Sequence, residues 1–195
     1  MKQMKKEIEK IKKLSFSDNI ENNNNNNKIT FYSKIINNIN EFQFVLNKIE
    51  KLSSKEIKSL QLLYRASEYS YSGQIFHQKC DGITPTIVII HSKNNYKFGG
   101  YTEKSWECTS KDDNAFCFSI NLKKKYNIIK GRTAIGKTNG PIFYGDCYNF
   151  IQINENSGHI GNKKTNYEGV ESDFEINGGQ ERFFVLDYEV FQVIF

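Results

Sequence analysis

Several features that mark large protein classes are scarce or missing in this sequence of 195 residues. It has only two prolines and four cysteines, and no apolar run reaches the roughly 18 residues that a membrane-spanning helix needs. Met1 is followed by charged residues instead of the apolar stretch of a secretory signal peptide. We therefore predict a cytoplasmic protein with no transmembrane segment.

The cysteines form no C-x-x-C pair and are irregularly spaced, at Cys80, Cys108, Cys117 and Cys147. Each lies in or beside an apolar stretch, which is typical of reduced, partly buried thiols. A zinc site would need close pairs of ligands, and His77, His91 and His159 do not provide them. We predict no metal and no cofactor.

The net charge is +5, but little of this excess lies outside the N-terminus. Residues 1–13 contain six lysines and two glutamates, which leaves the rest of the chain close to neutral. A near-neutral domain has no broad basic surface for phosphates. We therefore expect neither nucleic acid nor an anionic membrane as a ligand.

The N-terminal quarter of the chain contains two helical patterns separated by a polar linker. Residues 1–28 are predicted to be a basic helical arm that ends in an asparagine-rich linker, Asn22–Asn27. Residues 29–52 are predicted to be an amphipathic helix, because apolar residues recur at steps of three and four. These residues are Ile35, Ile39, Phe42, Leu46 and Ile49. The apolar stripe of this helix either docks on its own domain or mediates self-association or contact with a helical partner.

Residues 53–195 carry mainly strand signals, of which Thr86–Ile90, a β-branched run after Pro85, is the clearest. Ser72 can cap a short helix over Gly73–Cys80, and Ser53-Ser54-x-Glu56 has the pattern of a capping box. Further strands are expected at Tyr96–Tyr101, Ala115–Ile120, Tyr126–Ile129, Ile142–Tyr144, Phe150–Ile153 and, as two strands or one bent strand, Arg182–Phe195. The pattern predicts an α+β, mostly β fold: a two-sheet antiparallel β-sandwich flanked by a few helices, with the N-terminal helical arm.

One short motif points to a different class of protein. Gly131 to Thr138 matches G-x-x-x-x-G-K-[ST], the phosphate-binding loop of nucleotide hydrolases. That loop works at the start of a helix, and Asn139-Gly140-Pro141 would stop a helix within its first turn. We therefore interpret the segment as a glycine-bounded hairpin or loop and keep a nucleotide-binding enzyme as the alternative.

Several separated blocks, in order, resemble the TLDc domain of oxidation-resistance proteins and their relatives. They are Leu62–Ser67, Phe76–Gly82 with Pro85-Thr86, Phe98–Thr102 with Trp106, Ala115–Ser119 and Glu189–Phe191. The resemblance covers residues 53–195. It implies a two-sheet β-sandwich without agreed catalytic residues, and roles in resistance to oxidative stress.

For several members the resemblance also implies binding to the peripheral sector of the vacuolar proton pump, the V-ATPase. We assign structural roles to the residues of the matching blocks, His77, Cys80, Asp81, Gly82, Phe98, Gly99, Gly100, Tyr101 and Trp106. Partner choice is expected to lie in two Gly- and Asn-rich loops, 130–141 and 154–169, because loops on a rigid scaffold carry recognition. The candidate partner-binding residues are Lys130, Arg132, Lys137, Asn154, Glu155, His159, Lys163 and Lys164. We thus expect a non-enzymatic protein-binding module, or alternatively a subunit of a larger cytoskeletal or ciliary assembly.

Overall fold

The structure is a computed structural model that describes residues 31–136, 140–145, 149–162 and 165–195. The predicted basic arm, residues 1–28, lies outside the described residues. Within them are two α-helices, α1 (Ile39–Ser53) and α2 (Gly73–Cys80), and two short 3-10 turns at Ala66–Glu68 and Glu175–Asn177. No helix among the described residues is long and apolar enough to cross a membrane.

The described residues also form eleven β-strands, most of them short. They are β1 (Ser59–Arg65), β2 (Thr86–Ser92), β3 (Lys97–Thr102), β4 (Ser110–Lys111), β5 (Phe116–Ser119), β6 (Lys124–Asn127), β7 (Thr133–Gly136), β8 (Ile142–Phe143), β9 (Ile151–Asn154), β10 (Ser157–Ile160) and β11 (Arg182–Ile194). The fold is therefore mostly β, as the sequence predicts.

Strand β11 holds the sheet together, because it pairs with three other strands. Its first residues, Arg182–Phe184, pair with β10, and its remainder pairs with β2 on one side and β1 on the other. The strand order is β4-β7-β8-β9-β10-β11-β2-β3-β5-β6, with β1 beside β11, and the pairings are antiparallel. The strands thus form one continuous sheet of 11. The prediction of two separate sheets is not confirmed, and Arg182–Ile194 is one long strand.

Strands from the two ends of this sheet pack against each other and enclose the main core. A Cβ added to Gly100 of β3 would lie only 2.4 Å from the ring of Phe143 of β8. The rings of Trp106 and Phe143 meet nearly at right angles, with centroids 5.6 Å apart. This close approach explains why glycine occupies position 100, since any side chain there would displace a buried aromatic ring.

Helix α1 covers the opposite face of β2, β3 and β5. Its apolar residues Phe42 and Ile49 are fully buried in a second cluster with Ile87 and Ile89 of β2. Strand β2 is thus covered on both faces, which explains why Thr86–Ile90 is a continuous apolar run instead of an alternating one. The apolar stripe of α1 lies against its own domain.

The N-terminal helix begins later than the predicted span of residues 29–52. Asn38 is its N-cap, and the Asn38 side chain accepts a hydrogen bond from the Glu41 amide at 2.9 Å. Ile35 therefore precedes the helix, although it is buried in the same cluster. The predicted capping box is wrong, since Ser54, with a φ of 54°, ends α1 through a hydrogen bond from its amide to the Glu50 carbonyl.

Candidate functional site

The predicted recognition loop at 154–169 contains a strand. Asn154 ends β9, Glu155 lies in the following turn with a φ of 53°, and His159 lies within β10. The β9–β10 hairpin pairs with the start of β11, so Asn154 and His159 belong to a sheet face and not to a free loop. A rigid sheet holds these side chains in fixed positions relative to their neighbours.

Two rows of cross-strand neighbours form this face. His159 is opposite Gln152 of β9 on one side and Arg182 of β11 on the other. Two residues from His159 on β10, Ser157 is opposite Asn154 of β9 and Phe184 of β11. Directly opposed residues in antiparallel strands lie about 4.5–5.5 Å apart and present their side chains on the same side. The two rows therefore define one surface, which we call the β9–β11 face.

A groove of about 730 Å³ runs over the β9–β11 face. It is lined by Tyr144, Gly145, Asn149, Gln152, Asn154, Ser157, Gly158, His159, Arg182, Phe183 and Phe184. Amide side chains are prominent in this lining, and none of its described residues is a carboxylate. Asn149 and Gln152 hydrogen-bond to each other at 2.9 Å, which leaves further donor and acceptor capacity for a bound chain.

The alternation of buried and exposed residues along β11 explains why Arg182 and Phe184 face outwards. Phe183 and Val185 point into the core, so the intervening residues of β11 are exposed. Gly158, opposite Phe183, makes room for that ring, because an added Cβ would lie 2.2 Å from it. The inward packing of Phe183 thus fixes the outward orientation of its two neighbours.

Apolar exposure is concentrated at one end of the β9–β11 face. Phe184 is 60% exposed and Leu186, two residues further along β11, is 43% exposed. Leu122 is the other large apolar residue that is exposed among the described residues. The ammonium of Lys93 lies 5.1 Å from the centre of the Phe184 ring, close enough for a cation–π contact. Exposed aromatic side chains are enriched at protein-binding surfaces.

The charged groups at the face are the guanidinium of Arg182 and, beside His159, the carboxylate of Glu181. Among the described residues, the exposed Arg182 guanidinium has no ion-pair partner. His159 Nε2 lies 2.9 Å from the carboxylate of Glu181, which positions the imidazole ring. Because Arg182 lines the groove and the Glu181 carboxylate is hydrogen-bonded to His159, the guanidinium offers a site for a negatively charged group.

The remaining predicted partner-binding residues do not line this groove. Lys130 and Arg132 lie in the turn between β6 and β7, where the Gly131 amide donates to Asp113 at 2.7 Å. Lys137, Lys163 and Lys164 lie outside the described residues. The candidate surface therefore retains Asn154 and His159, with Glu155 at its edge, and adds Arg182 and Phe184.

The residues predicted to be structural lie in or beside the main core, except Tyr101, which is buried in the second cluster beneath α1. His77 Nδ1 is 2.8 Å from Asp81 at the end of α2, and the buried Trp106 indole donates to Thr86 at 3.1 Å. The Gly82 amide donates to Ser105, while Gly99 faces the Val88 carbonyl so closely that an added Cβ would lie 1.9 Å from that oxygen. The buried side chains of this set are Cys80, Phe98, Tyr101 and Trp106.

Three kinds of catalytic feature can be checked among the described residues: metal-ligand groups, reactive thiols and the phosphate-loop motif. No group of three or more histidine, cysteine or acidic residues among them could hold a metal ion. Burial raises the pKa of the Cys80 thiol to about 12 and also raises the pKa of Cys117, which keeps both thiols protonated. Residues 133–136 of the phosphate-loop motif form β7, which pairs with β4 and β8. Their extended backbone does not have the geometry of a phosphate-binding loop.

A buried ionic cluster is the largest polar feature that sequence reasoning missed. The Arg65 Nε donates to the Glu189 carboxylate at 2.7 Å, and both side chains are almost completely buried. Glu189 also accepts from the Ser33 hydroxyl and from the Lys34 amide, so it fastens the segment before α1 to the sheet. Arg65 and Glu189 are 124 residues apart, and only their registration in β1 and β11 brings them together.

Arg182 and Phe184 were also missed, for a different reason. Both lie in Arg182–Phe195, where apolar residues occupy inward and outward positions alike and conceal the alternation. The one sequence signal that could have indicated them is a charged residue, Arg182, two positions before Phe184 in a mainly apolar run.

Comparisons with known proteins agree with this architecture and its blocks of sequence. A search of curated proteins finds no match. A comparison with protein families matches residues 24–194 to the TLDc domain. The match includes both helices, the eleven strands and the segment fastened by Glu189. Because it covers nearly the whole chain, the chain belongs to the TLDc domain family.

Proposed function

We propose that this chain is a non-catalytic protein-binding module that acts in resistance to oxidative stress in the cytoplasm. The observation that carries the proposal is the β9–β11 face, where an exposed arginine, with no ion-pair partner among the described residues, and an exposed phenylalanine occupy neighbouring rows of a rigid sheet. Arginine and aromatic residues dominate the binding energy of protein interfaces. Membership of the TLDc family supports the link to oxidative stress.

The partner that we propose is the peripheral, cytosolic sector of the V-ATPase. Support for this partner comes from the sequence resemblance described above, because several relatives bind that assembly. The near-neutral folded part of the chain also favours a protein over nucleic acid. The β9–β11 face is the contact surface that we assign to this interaction.

Co-purification tests the proposal. The tagged full chain is captured from a lysate of its own cells, and the bound proteins are identified by quantitative mass spectrometry. We expect V-ATPase peripheral subunits to be enriched, and to be reduced at least about tenfold for the double variant Arg182→Gln/Phe184→Ser. The double variant Lys130→Gln/Leu122→Ser, changed at exposed positions outside the groove, is the matched control.

Two results would contradict the proposal. Recovery of tubulin or a ciliary scaffold without pump subunits would favour the larger-assembly alternative. Saturable binding of ATP with magnesium that is lost in Lys137→Ala would favour the nucleotide-binding enzyme, because that lysine holds the phosphates in the motif. Equilibrium dialysis with labelled ATP measures this binding directly.

A further inference from the structure

The β9–β11 face has a regular spacing that restricts what can bind there. Arg182 and Phe184 are two residues apart on one side of β11, which places their side chains about 6.6 Å apart along the strand. An extended peptide has the same repeat, so its alternate side chains can meet both positions. A carboxylate matches the exposed guanidinium of Arg182, and an apolar side chain matches the Phe184 ring.

The rest of the groove suits the backbone of such a peptide. Asn149, Gln152 and Asn154 line the groove with amide groups, which both donate and accept hydrogen bonds. Leu186 continues the exposed side of β11 past Phe184 and extends the apolar end. Among the described residues that line the groove there is no carboxylate, and the Glu181 carboxylate beside them is hydrogen-bonded to His159.

We propose that the β9–β11 face binds an extended, acidic segment of a partner protein that carries a carboxylate and an apolar side chain two residues apart. The carboxylate pairs with Arg182, and the apolar side chain packs against Phe184 and Leu186. This inference rests on the proposed function as a binding module and identifies the chemistry of the segment that is recognised. It is independent of which assembly supplies the segment.

Fluorescence anisotropy with a synthetic peptide tests the inference on the full chain. The probe is fluorescein-labelled Ser-Glu-Thr-Leu-Thr-Glu-Thr-Leu-Ser with a blocked C-terminus, in which each glutamate precedes a leucine by two residues. We expect saturable binding that weakens as salt is added, because one contact is an ion pair. The same peptide with glutamine in place of glutamate, or with serine in place of leucine, should bind at least about tenfold more weakly.

Matched variants connect the binding to the groove. Arg182→Gln and Phe184→Ser should each weaken binding at least about tenfold, since both side chains are exposed anchors. Lys130→Gln removes an equal charge, and Leu122→Ser removes another exposed apolar side chain, at positions outside the groove. Both should leave the affinity within about twofold. Because the four positions are on the surface, unchanged melting curves would establish that every variant is folded.

The inference is overturned by any of three results: a dissociation constant above about 1 mM for the acidic peptide, equal binding of the glutamine peptide, or an equal effect of Lys130→Gln. Failure of the inference is distinguishable from failure of the proposed function. If V-ATPase subunits are captured equally by the Arg182→Gln/Phe184→Ser variant, the groove is wrong while the partner stands. If the peptide binds as expected but no pump subunit is captured, the partner is wrong while the groove stands.

Discussion

At the scale of single residues, Glu189 stands out because its charged side chain is completely buried. Its carboxylate is buried and accepts hydrogen bonds from Arg65, the Ser33 hydroxyl and the Lys34 amide. A buried charge is tolerated only when its partners replace the water that it has lost. Glu189 of β11 therefore attaches the chain segment before α1 to the sheet by hydrogen bonds, in addition to the apolar packing of Phe31 and Ile35.

Replacing Glu189 by alanine should lower the free energy of unfolding by about 3–5 kcal/mol, because Arg65 would remain buried without its counter-ion. Urea denaturation followed by circular dichroism measures this change. Glu68→Ala, which removes an exposed partner of the same arginine, should cost about 1 kcal/mol or less. Equal losses for the two variants would show that burial of the Arg65–Glu189 pair is not the source of the effect.

Glu175 should contribute to acid sensitivity. Burial alone would raise the pKa of its carboxyl, but hydrogen bonds from Lys124 and the Ser172 amide outweigh burial and lower the pKa below its ordinary value of 4.5. The folded state therefore binds this proton less tightly than the unfolded chain does. The resulting stabilisation is fully present above about pH 4.5 and is lost as the pH falls through the folded pKa.

Melting temperatures between pH 3 and pH 6 test this dependence. The fall in stability on acidification should be shallower in Glu175→Gln than in the wild type, whereas the exposed control Glu168→Gln should follow the wild type. A parallel pH profile for Glu175→Gln would contradict the assignment.

The thiols should differ sharply in reactivity. The raised pKa values of Cys80 and Cys117 and their burial oppose formation of the thiolate, whereas Cys108 is exposed. Under native conditions we expect iodoacetamide to alkylate Cys108 much faster than Cys80 and Cys117, because only an accessible thiolate reacts. Peptide mass spectrometry measures the three rates, and in urea they should converge. Equally fast alkylation of Cys80 in the folded protein would instead indicate local opening of α2.

At the scale of elements, α1 is part of the core and not an appendage. Leu46→Glu should destabilise the protein by more than about 3 kcal/mol, because it introduces an unpaired charge between α1 and the sheet. The neighbouring change Asn47→Glu, on the exposed side, is the matched control and should shift the melting temperature little. Differential scanning calorimetry and light scattering would detect both the loss of stability and any self-association. An unchanged melting curve for Leu46→Glu would mean that α1 does not pack there.

The elements that sequence predicts well are those with a strong local signal. The β-branched run of β2 and the Ser72 cap of α2 are examples, since each signal is contained in a few adjacent residues. Strand β10, Ser157–Ile160, has weak strand propensity and forms because it fills a place between β9 and β11. The β9–β11 face could be predicted only in part for this reason: Asn154 and His159 are visible as polar residues, but their juxtaposition with Arg182 depends on long-range pairing.

At the scale of the whole molecule, β11 makes the fold a single cooperative unit. Its first three residues complete one end of the sheet, while its later residues lie between β1 and β2. Neither part of the sheet can lose β11 without exposing buried apolar residues of its own core. The pairing of Ser59 with Ile194 also closes nearly the whole of the described chain into one loop. Such long-range pairing costs chain entropy before the stabilising contacts between the strands have formed. Folding should therefore be slow for a domain of this size.

We expect unfolding in urea to be two-state for the same reason. Trp106, the sole tryptophan, lies in the main core against Phe76 and Phe143 and reports on that core by fluorescence. Circular dichroism at the helical minimum reports mainly on α1, which covers the second core. If β11 couples the two cores, both signals should give the same midpoint and slope. Shortening the chain by its last six residues, which removes most of the β1–β11 pairing, should abolish both transitions together. A helical transition that precedes the tryptophan transition would show that the α1 layer unfolds separately, and that Glu189 alone does not fasten it to the sheet.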